Sequence, residues 1–580
     1  MSDPTPDPAP AVPPSADTPA DDPMDKPLGA GIDFTDPNSP LAPLYASVTG
    51  VLAVLLVGAA FALYSLMPMM HTDVWGHLAY GRWIVEHRQF PTHDPLSPFT
   101  DRSAVMYHQC WLSQVLAHGA FTWGESLGGA DPARRFAGGA EAVRQLHVFA
   151  ATATLVALWV AFRRASGSGA IALVGVAAVV AGGVVSLGLF RPQVFGLLLF
   201  AVFLAMLSRP VLSKAAVVAI PLLLALWANL HGSFAVGFAL LGLAWAGRVA
   251  EAAVVGQGGR VKAVLADAGV RRLTLAIVLG LAAACLNPAG PRIYLNVLAF
   301  GSHPNLTSMI EWQPLTAGVN LPSLLVFVAL WVGVLACQLL ARRRVRPVHY
   351  LAVALFGLAP LLQQRLNSWW LLVGAWAVTA LMGAVAVRMN WSLPRSVPSL
   401  RKTVMAVAAA VPFLLLSPLT GWVAGNGPPA VQRVCVAATP VELAAALADP
   451  AGTHGDRVKP VADALKAGYA GRPLGPVFCS PEVGEFLFWR DIPGAPPVRF
   501  AHPHLFAAEH WTRCQAAGGG QGWAEWLDEL RVNVIAVEPD FYAPLVATVG
   551  KSGEWQVVLH EKGGRDPRAR LFVAVRKVPK

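Results

Sequence analysis

The stretch MMHTDVWGHLAYGRW, residues 69–83, leaves an apolar run and at once presents His71, Asp73, His77 and Arg82 among Trp75 and Trp83. Carboxylates and imidazoles move protons near neutral pH, and a guanidinium binds anions. Asp73 and His77 stand one helical turn apart, so the imidazole can hydrogen-bond back to the acid. Asp73 is also a favoured N-cap for a helix beginning at Val74, and the two roles are compatible. Five more short stretches set similar side chains at the ends of apolar runs. They are LFRPQ (189–193), WANLHGS (227–233), LNPAGPRIY (286–294), HPNLTSMIEWQP (303–314) and QQRLNSWW (363–370). Polar groups at membrane depth are costly and usually pair or line a cavity. Singly, each has a plainer alternative. Arg191 before Pro192 can snorkel, His231 before Gly232 can mark a structural junction, and Trp312, Trp369 and Trp370 can anchor helices at an interface. Six such stretches on one side point to a site.

The elements that would position them are membrane helices. The 580-residue chain is 55% hydrophobic and 13% charged, with a mean hydropathy of +0.51, whereas soluble chains carry about 25% charged residues. Eleven stretches approach the roughly 20 apolar residues of a span: 46–67, 143–162, 169–189, 193–208, 215–230, 232–248, 272–286, 322–341, 348–363, 366–387 and 403–423. Between alternate spans fall 17 cations, Arg163, Arg164, Arg209, Lys214, Arg248, Arg260, Lys262, Arg271, Arg272, Arg342, Arg343, Arg344, Arg346, Arg388, Arg395, Arg401 and Lys402, against two acids, Glu251 and Asp267. The positive-inside rule makes these loops cytoplasmic. The six polar stretches and everything after residue 425 are then extracytoplasmic. Residues 1–45 hold eight Asp and one Lys with many Pro. They are expected to be a disordered cytoplasmic tail. The basic balance is thus a topology signal, and no nucleic-acid partner is expected.

The 68–142 loop is too long to be structureless. DVWGHLAYGRWIVEH is expected as an amphipathic helix lying on the membrane with its tryptophans at headgroup level, and QCWLSQVLAHGAFTW as a second, interfacial helix. Residues 425–580 are expected to form an α/β domain, with strands in GPVFCS, RVNVIAVEP, EWQVVLHEK and ARLFVAVRK and helices in PEVGEFLFW and WAEWLDEL. No P-loop, GxGxxG or nucleophile elbow occurs, and AGGGQG at 517–522 has no strand before it and no GK[ST] after it. No CxxC occurs among the six cysteines. A disulfide among Cys435, Cys479 and Cys514 is possible in principle, but sequence cannot pair them.

With these motifs in view, the chain resembles the GT-C superfamily of integral-membrane glycosyltransferases. More closely it is similar to bacterial multi-pass proteins that share an Asp-x-Trp-x-His-Leu…Gly loop, an Arg-Pro-Gln after a span, an Asn-x-His-Gly junction and a Glu-Trp-Gln-Pro loop. Here these are Asp73-Val-Trp75-Gly-His77-Leu with Gly81, Arg191-Pro192-Gln193, Asn229-Leu-His231-Gly232 and Glu311-Trp312-Gln313-Pro314. The similarity covers roughly residues 46–390 and, more loosely, PEVGEFLFW at 481–489.

The resemblance implies a polytopic α-helical fold with about 11 transmembrane helices, in the cell inner (cytoplasmic) membrane. With the composition and span count it gives three expected parts: the disordered 1–45 tail, a GT-C-like domain over 46–424 and the extracytoplasmic domain over 425–580. It implies sugar transfer from a polyprenyl-phosphate-linked donor, with membrane lipids as the other partners. Asp73, His77 and Glu311 would be catalytic, with Asp73 as general base. Arg191, Arg365, Arg82 and His231 would meet the donor phosphate. Trp75, Asn229, Trp312 and Gln313 would hold acceptor or sugar. Many members of the superfamily place a divalent metal (Mg or Mn) near such acids, and others need none. This chain departs from the paired-acid pattern, since after Asp73 the next acids are Glu86, Asp94 and Asp101. A non-catalytic protein that binds or transports a lipid-linked glycan, or a membrane scaffold, is the alternative.

Overall fold

The computed structural model describes residues 45–577 except 72, 256–259, 317–320, 342–344, 393–396, 470 and 562–569. The expected tail through residue 44, Arg342, Arg343, Arg344 and Arg395 lie outside the described residues.

All eleven apolar stretches are helical: α1 (Val48–Leu66), then, after two helices of the first loop, α2 (Val74–His87) and α3 (Trp111–Ser126), come α4 (Pro132–Ser166), α5 (Gly169–Gly188), α6 (Gln193–Leu207), α7 (Lys214–Leu230), α8 (Phe234–Val255), α9 (Ala268–Ala284), α10 (Leu321–Ala341), α11 (Pro347–Leu358), α12 (Asn367–Arg388) and α13 (Leu400–Leu416). Among the described residues five segments are long and apolar enough to cross a membrane: Val48–Leu66, Pro132–Ser166, Phe234–Val254, Leu321–Ala341 and Gln364–Arg388. Local signals explain their limits. Asp131 caps α4 by accepting from the Ala133 N–H, Pro132 takes the first turn, and Gly167 ends it at φ 70°, a conformation glycine adopts freely. The bundle packs around α12, whose Trp370 and Trp376 are fully buried.

Two features bring distant chain segments to one place. Strand β1 (Met70–His71) pairs in parallel with β2 (Leu189–Phe190), with His71 opposite Phe190. Parallel strands leave their ladder in the same direction, so Asp73 and Arg191 emerge side by side. Farther along the chain, β3 (Val477–Cys479), β4 (Val534–Val537), β5 (Trp555–His560) and β6 (Phe572–Arg576) form a sheet ordered β3-β4-β6-β5, parallel between β3 and β4 and antiparallel elsewhere. Helix α14 (Pro481–Arg490) follows β3. One hydrophobic cluster runs without a break from Trp75, Phe121 and Phe136 into Phe486, Trp489 and Val534. The sheet region and the 68–142 loop therefore share a core.

This packing corrects the expectation for α2. Of its two tryptophans, Trp75 does not face outward. Trp75 is fully buried, with its ring 5.0 Å from Phe486, 4.9 Å from Trp489 and 5.7 Å from Phe136. The amphipathic pattern was real, but its apolar face meets α14 and α4 rather than lipid. All six cysteines are free, and Cys435, Cys479 and Cys514 are buried without a disulfide.

Candidate active site

Five of the six polar stretches converge on one cavity of about 300 Å³, the lower end of the small-molecule range. Asp73 and His77 come from α2, Arg191 from the turn after β2, His231 from the end of α7, Glu311 and Trp312 from a short 3₁₀ turn, and Arg365 from the turn before α12. The sixth stretch braces it from behind. Asn287 donates to the His108 and Ala228 carbonyls (3.0 Å each) and to Asn229 Oδ1 (3.2 Å).

Asp73 stands at the N-cap position of α2, yet its side chain makes no capping bond. The carboxyl faces Arg191 instead, with Nε 3.6 Å from Oδ1. The N-terminus of α2 is satisfied from elsewhere: the Gly76 N–H donates to Glu485 Oε1 of α14 at 2.6 Å. A carboxylate there suits the positive end of the helix dipole. Asp73 is thus released for the cavity by a residue more than 400 positions away.

Arg191 bridges both acids of the site. Its Nη1 hydrogen-bonds Glu311 Oε2 while Nε faces Asp73. Burial works to lower its pKa, but Asp73 and Glu311 carry it above the ordinary arginine value. Arg365 differs. Its guanidinium lies over the Trp312 ring at 4.3 Å, a cation–π contact. Among the described residues no carboxylate lies within ion-pair reach of it.

The two imidazoles expected here are neutral. Burial lowers His77 to about 4, despite Asp73 Oδ2 at 3.9 Å from its Nε2. Gln114 Nε2 donates to His77 Nδ1 at 3.1 Å, which puts the ring proton on Nε2, toward Asp73. Burial likewise lowers His231 to about 3. The Ser233 N–H donates to its Nδ1 at 3.1 Å, so its proton also sits on Nε2. His231 can donate a hydrogen bond to an anion but brings no charge.

Four expected site residues do not reach the cavity. Arg82 points to the far side of α2 and donates to the Trp489 carbonyl at 3.2 Å. Trp75 belongs to the aromatic core. Asn229 is consumed by structure: its amide donates to the Ala225 and Leu286 carbonyls and its oxygen accepts from Trp111 Nε1. Gln313 donates to the Thr307 carbonyl at 3.3 Å. Their motif neighbours line the cavity because adjacent residues on a turn or helix face different ways.

Sequence reasoning missed the segment 501–505, which brings His502 and His504 to the cavity. Its signal was the closest-spaced histidine pair in the chain, in AHPHLF. It also missed an aromatic wall, where Phe300 meets Tyr107, Trp312 and His504 at ring distances of 5.6, 5.8 and 4.9 Å.

A divalent cation fits poorly. Among the described residues no three His, Cys, Asp or Glu side chains are grouped to hold one. The two acids that would ligate it are already joined by Arg191, whose guanidinium occupies the position between them.

No protein-family model matches the chain, and no curated protein sequence does. Among solved structures it is similar to the archaeal oligosaccharyltransferase AglB of Archaeoglobus fulgidus, in complex with an inhibitory peptide and a dolichol-phosphate. The identity is 11% and the TM-score 0.51, over 86% of this chain and 71% of that one. It is also similar to ArnT of Cupriavidus metallidurans bound to undecaprenyl phosphate, at 17% identity and TM-score 0.46, over 91% of this chain and 98% of that one. The likeness to the AglB structure is one of fold, a polytopic helical fold of the kind the resemblance led one to expect.

Proposed function

We propose that the chain is a membrane glycosyltransferase that moves a sugar from a polyprenyl-phosphate donor to a hydroxyl-bearing acceptor in this cavity. The observation that carries this reading is one cavity holding a carboxyl, Asp73, and a guanidinium without a carboxylate partner, Arg365. These are the two charges such a transfer uses. The AglB structure, which shares the fold, holds a dolichol-phosphate.

Asp73 accepts the acceptor hydroxyl proton as that oxygen bonds to the anomeric carbon. The anomeric C–O bond breaks, and its electron pair leaves on the lipid phosphate. Arg365 meets that developing charge, and His231 offers a neutral N–H. Arg191 does not bind the donor phosphate. It fixes Asp73 and Glu311 relative to each other and supplies the cationic charge between them. The wall of Tyr107, Phe300 and Trp312 offers faces for the sugar. No metal-dependent step is needed. The apolar helices support a membrane location, and the cation distribution along the sequence supports an N-terminus on the cytoplasmic side, with the cavity and the 425–580 region on the outer face of the inner membrane.

The test is transfer by the full chain in lipid vesicles, using a panel of polyprenyl-phosphate sugars, with Arg365→Gln beside it. One donor should be consumed, and the variant should lose at least about tenfold in donor affinity, the value of one charged hydrogen bond. Binding of a donor without transfer would favour the carrier alternative.

A further inference from the structure

Beside Asp73 lies a second pair of titratable groups, from the opposite end of the chain. Glu485 is fully buried. Its Oε1 accepts from the Gly76 N–H at 2.6 Å, its Oε2 accepts from the Ala501 N–H at 2.9 Å, and His502 Nδ1 lies 3.4 Å from Oε2. His502 is 7% exposed and lines the cavity, and its Nε2 has no hydrogen-bond partner among the described residues. An acid that holds Nδ1 fixes the ring and leaves Nε2 as its working end.

The pair is seated with little tolerance. A methyl group on Gly76 would collide with Glu485 Oε1 and approach His502 Cε1 to 2.6 Å. Glycine at 76 is what lets α14 and the 501–505 segment close on α2. The ring touches His77 (5.1 Å), Tyr80 (5.6 Å) and His504 (5.8 Å).

We infer that His502, oriented by Glu485, is a phosphate-binding residue of this cavity that donates from Nε2 to a phosphodiester oxygen of the lipid-linked donor. The inference rests on the transferase reading for the identity of the ligand, though not on whether transfer occurs. Of the charged and titratable groups facing His502, Glu485, Asp73 and Asp94 favour its charged form, while His77 and His504 are held neutral by burial and Tyr80 donates to Asp94. Burial opposes the charge, yet the three acids together raise the His502 pKa above 6.5. His502 is therefore the one imidazole among those lining the cavity whose charged form its surroundings favour.

The experiment measures binding of farnesyl methyl phosphate, a short isoprenyl phosphodiester that does not titrate near neutrality, to the full chain in detergent between pH 5.5 and 9. Wild type should bind tighter at acid pH and weaken as pH rises through the His502 pKa. His502→Gln should bind about tenfold more weakly at pH 6 and lose that pH dependence. Glu485→Gln should move the midpoint to lower pH, a shift that a purely structural role would not produce. Equal affinity and the same pH dependence in His502→Gln would overturn the inference, provided a cooperative unfolding transition shows that the variant is folded. Normal phosphodiester binding with no sugar transfer would leave it standing and remove the transferase reading. Transfer unaffected by His502→Gln would do the reverse.

Discussion

Replacing Arg191 by Gln removes the cation that joins two acids. The Arg191 side chain is 13% exposed, against 25% for Asp73 and 22% for Glu311. Deleting one partner of a buried ion pair costs about 3–5 kcal/mol. Here both acids keep about a quarter of their surface in solvent, so screening reduces the cost to about 2–3 kcal/mol. Urea or thermal unfolding of the full chain in detergent at pH 7.5 measures it. The same variant leaves two carboxyls facing a vacated cationic position. It should therefore gain stability from Mg or Mn, by about 2.7 kcal/mol at a hundred times the dissociation constant, while wild type should gain almost nothing and should not respond to EDTA. Two results would refute the reasoning: wild-type stability in Arg191→Gln, or a wild type that is itself stabilised by the metal and weakened by the chelator.

Two further predictions concern stability. The His77 pKa of about 4 in the fold lies below the ordinary value of about 6.5. Its burial therefore supports folding above pH 6.5, and that support is lost as pH falls from about 6.5 toward 4, at up to about 1.4 kcal/mol per pH unit. His77→Gln should make this acid limb shallower in a pH series of unfolding midpoints, with the other buried histidines, His231 and His504 among them, accounting for what remains. Trp75→Ala should cost about 3–5 kcal/mol by opening a cavity between α2 and α14; loss of donor affinity with unchanged stability would show instead that Trp75 is a ligand contact.

The helices were legible because spans depend on local hydrophobicity, and the four C-terminal strands because β-branched runs are local too. The site was partly legible. Asp73, Arg191, His231, Glu311 and Arg365 stand at helix ends, where a membrane chain can place polar groups, and they line one cavity. What failed was direction and partnership. Trp75 looked like an anchor because its partners, Phe486 and Trp489, lie about 400 residues away. Asp73 looked like a helix cap because nothing near it in sequence shows that Glu485 takes that task. That Arg191 joins Asp73 to Glu311 was not legible because the turn bringing Glu311 to it is 120 residues on. His502 escaped notice for the same reason: it reaches the cavity only when β3, α14 and the following segment dock on α2. Periodicity reports which face of an element is apolar and is silent on what covers that face.

The most direct measurement is single-turnover sugar transfer by Asp73→Asn against wild type in lipid vesicles, with donor saturating. Asparagine keeps the shape and removes the base, so the rate of the chemical step should fall by at least about 100-fold while donor affinity stays near wild type. Transfer by Asp73→Asn at the wild-type rate would contradict the assignment of Asp73 as the base.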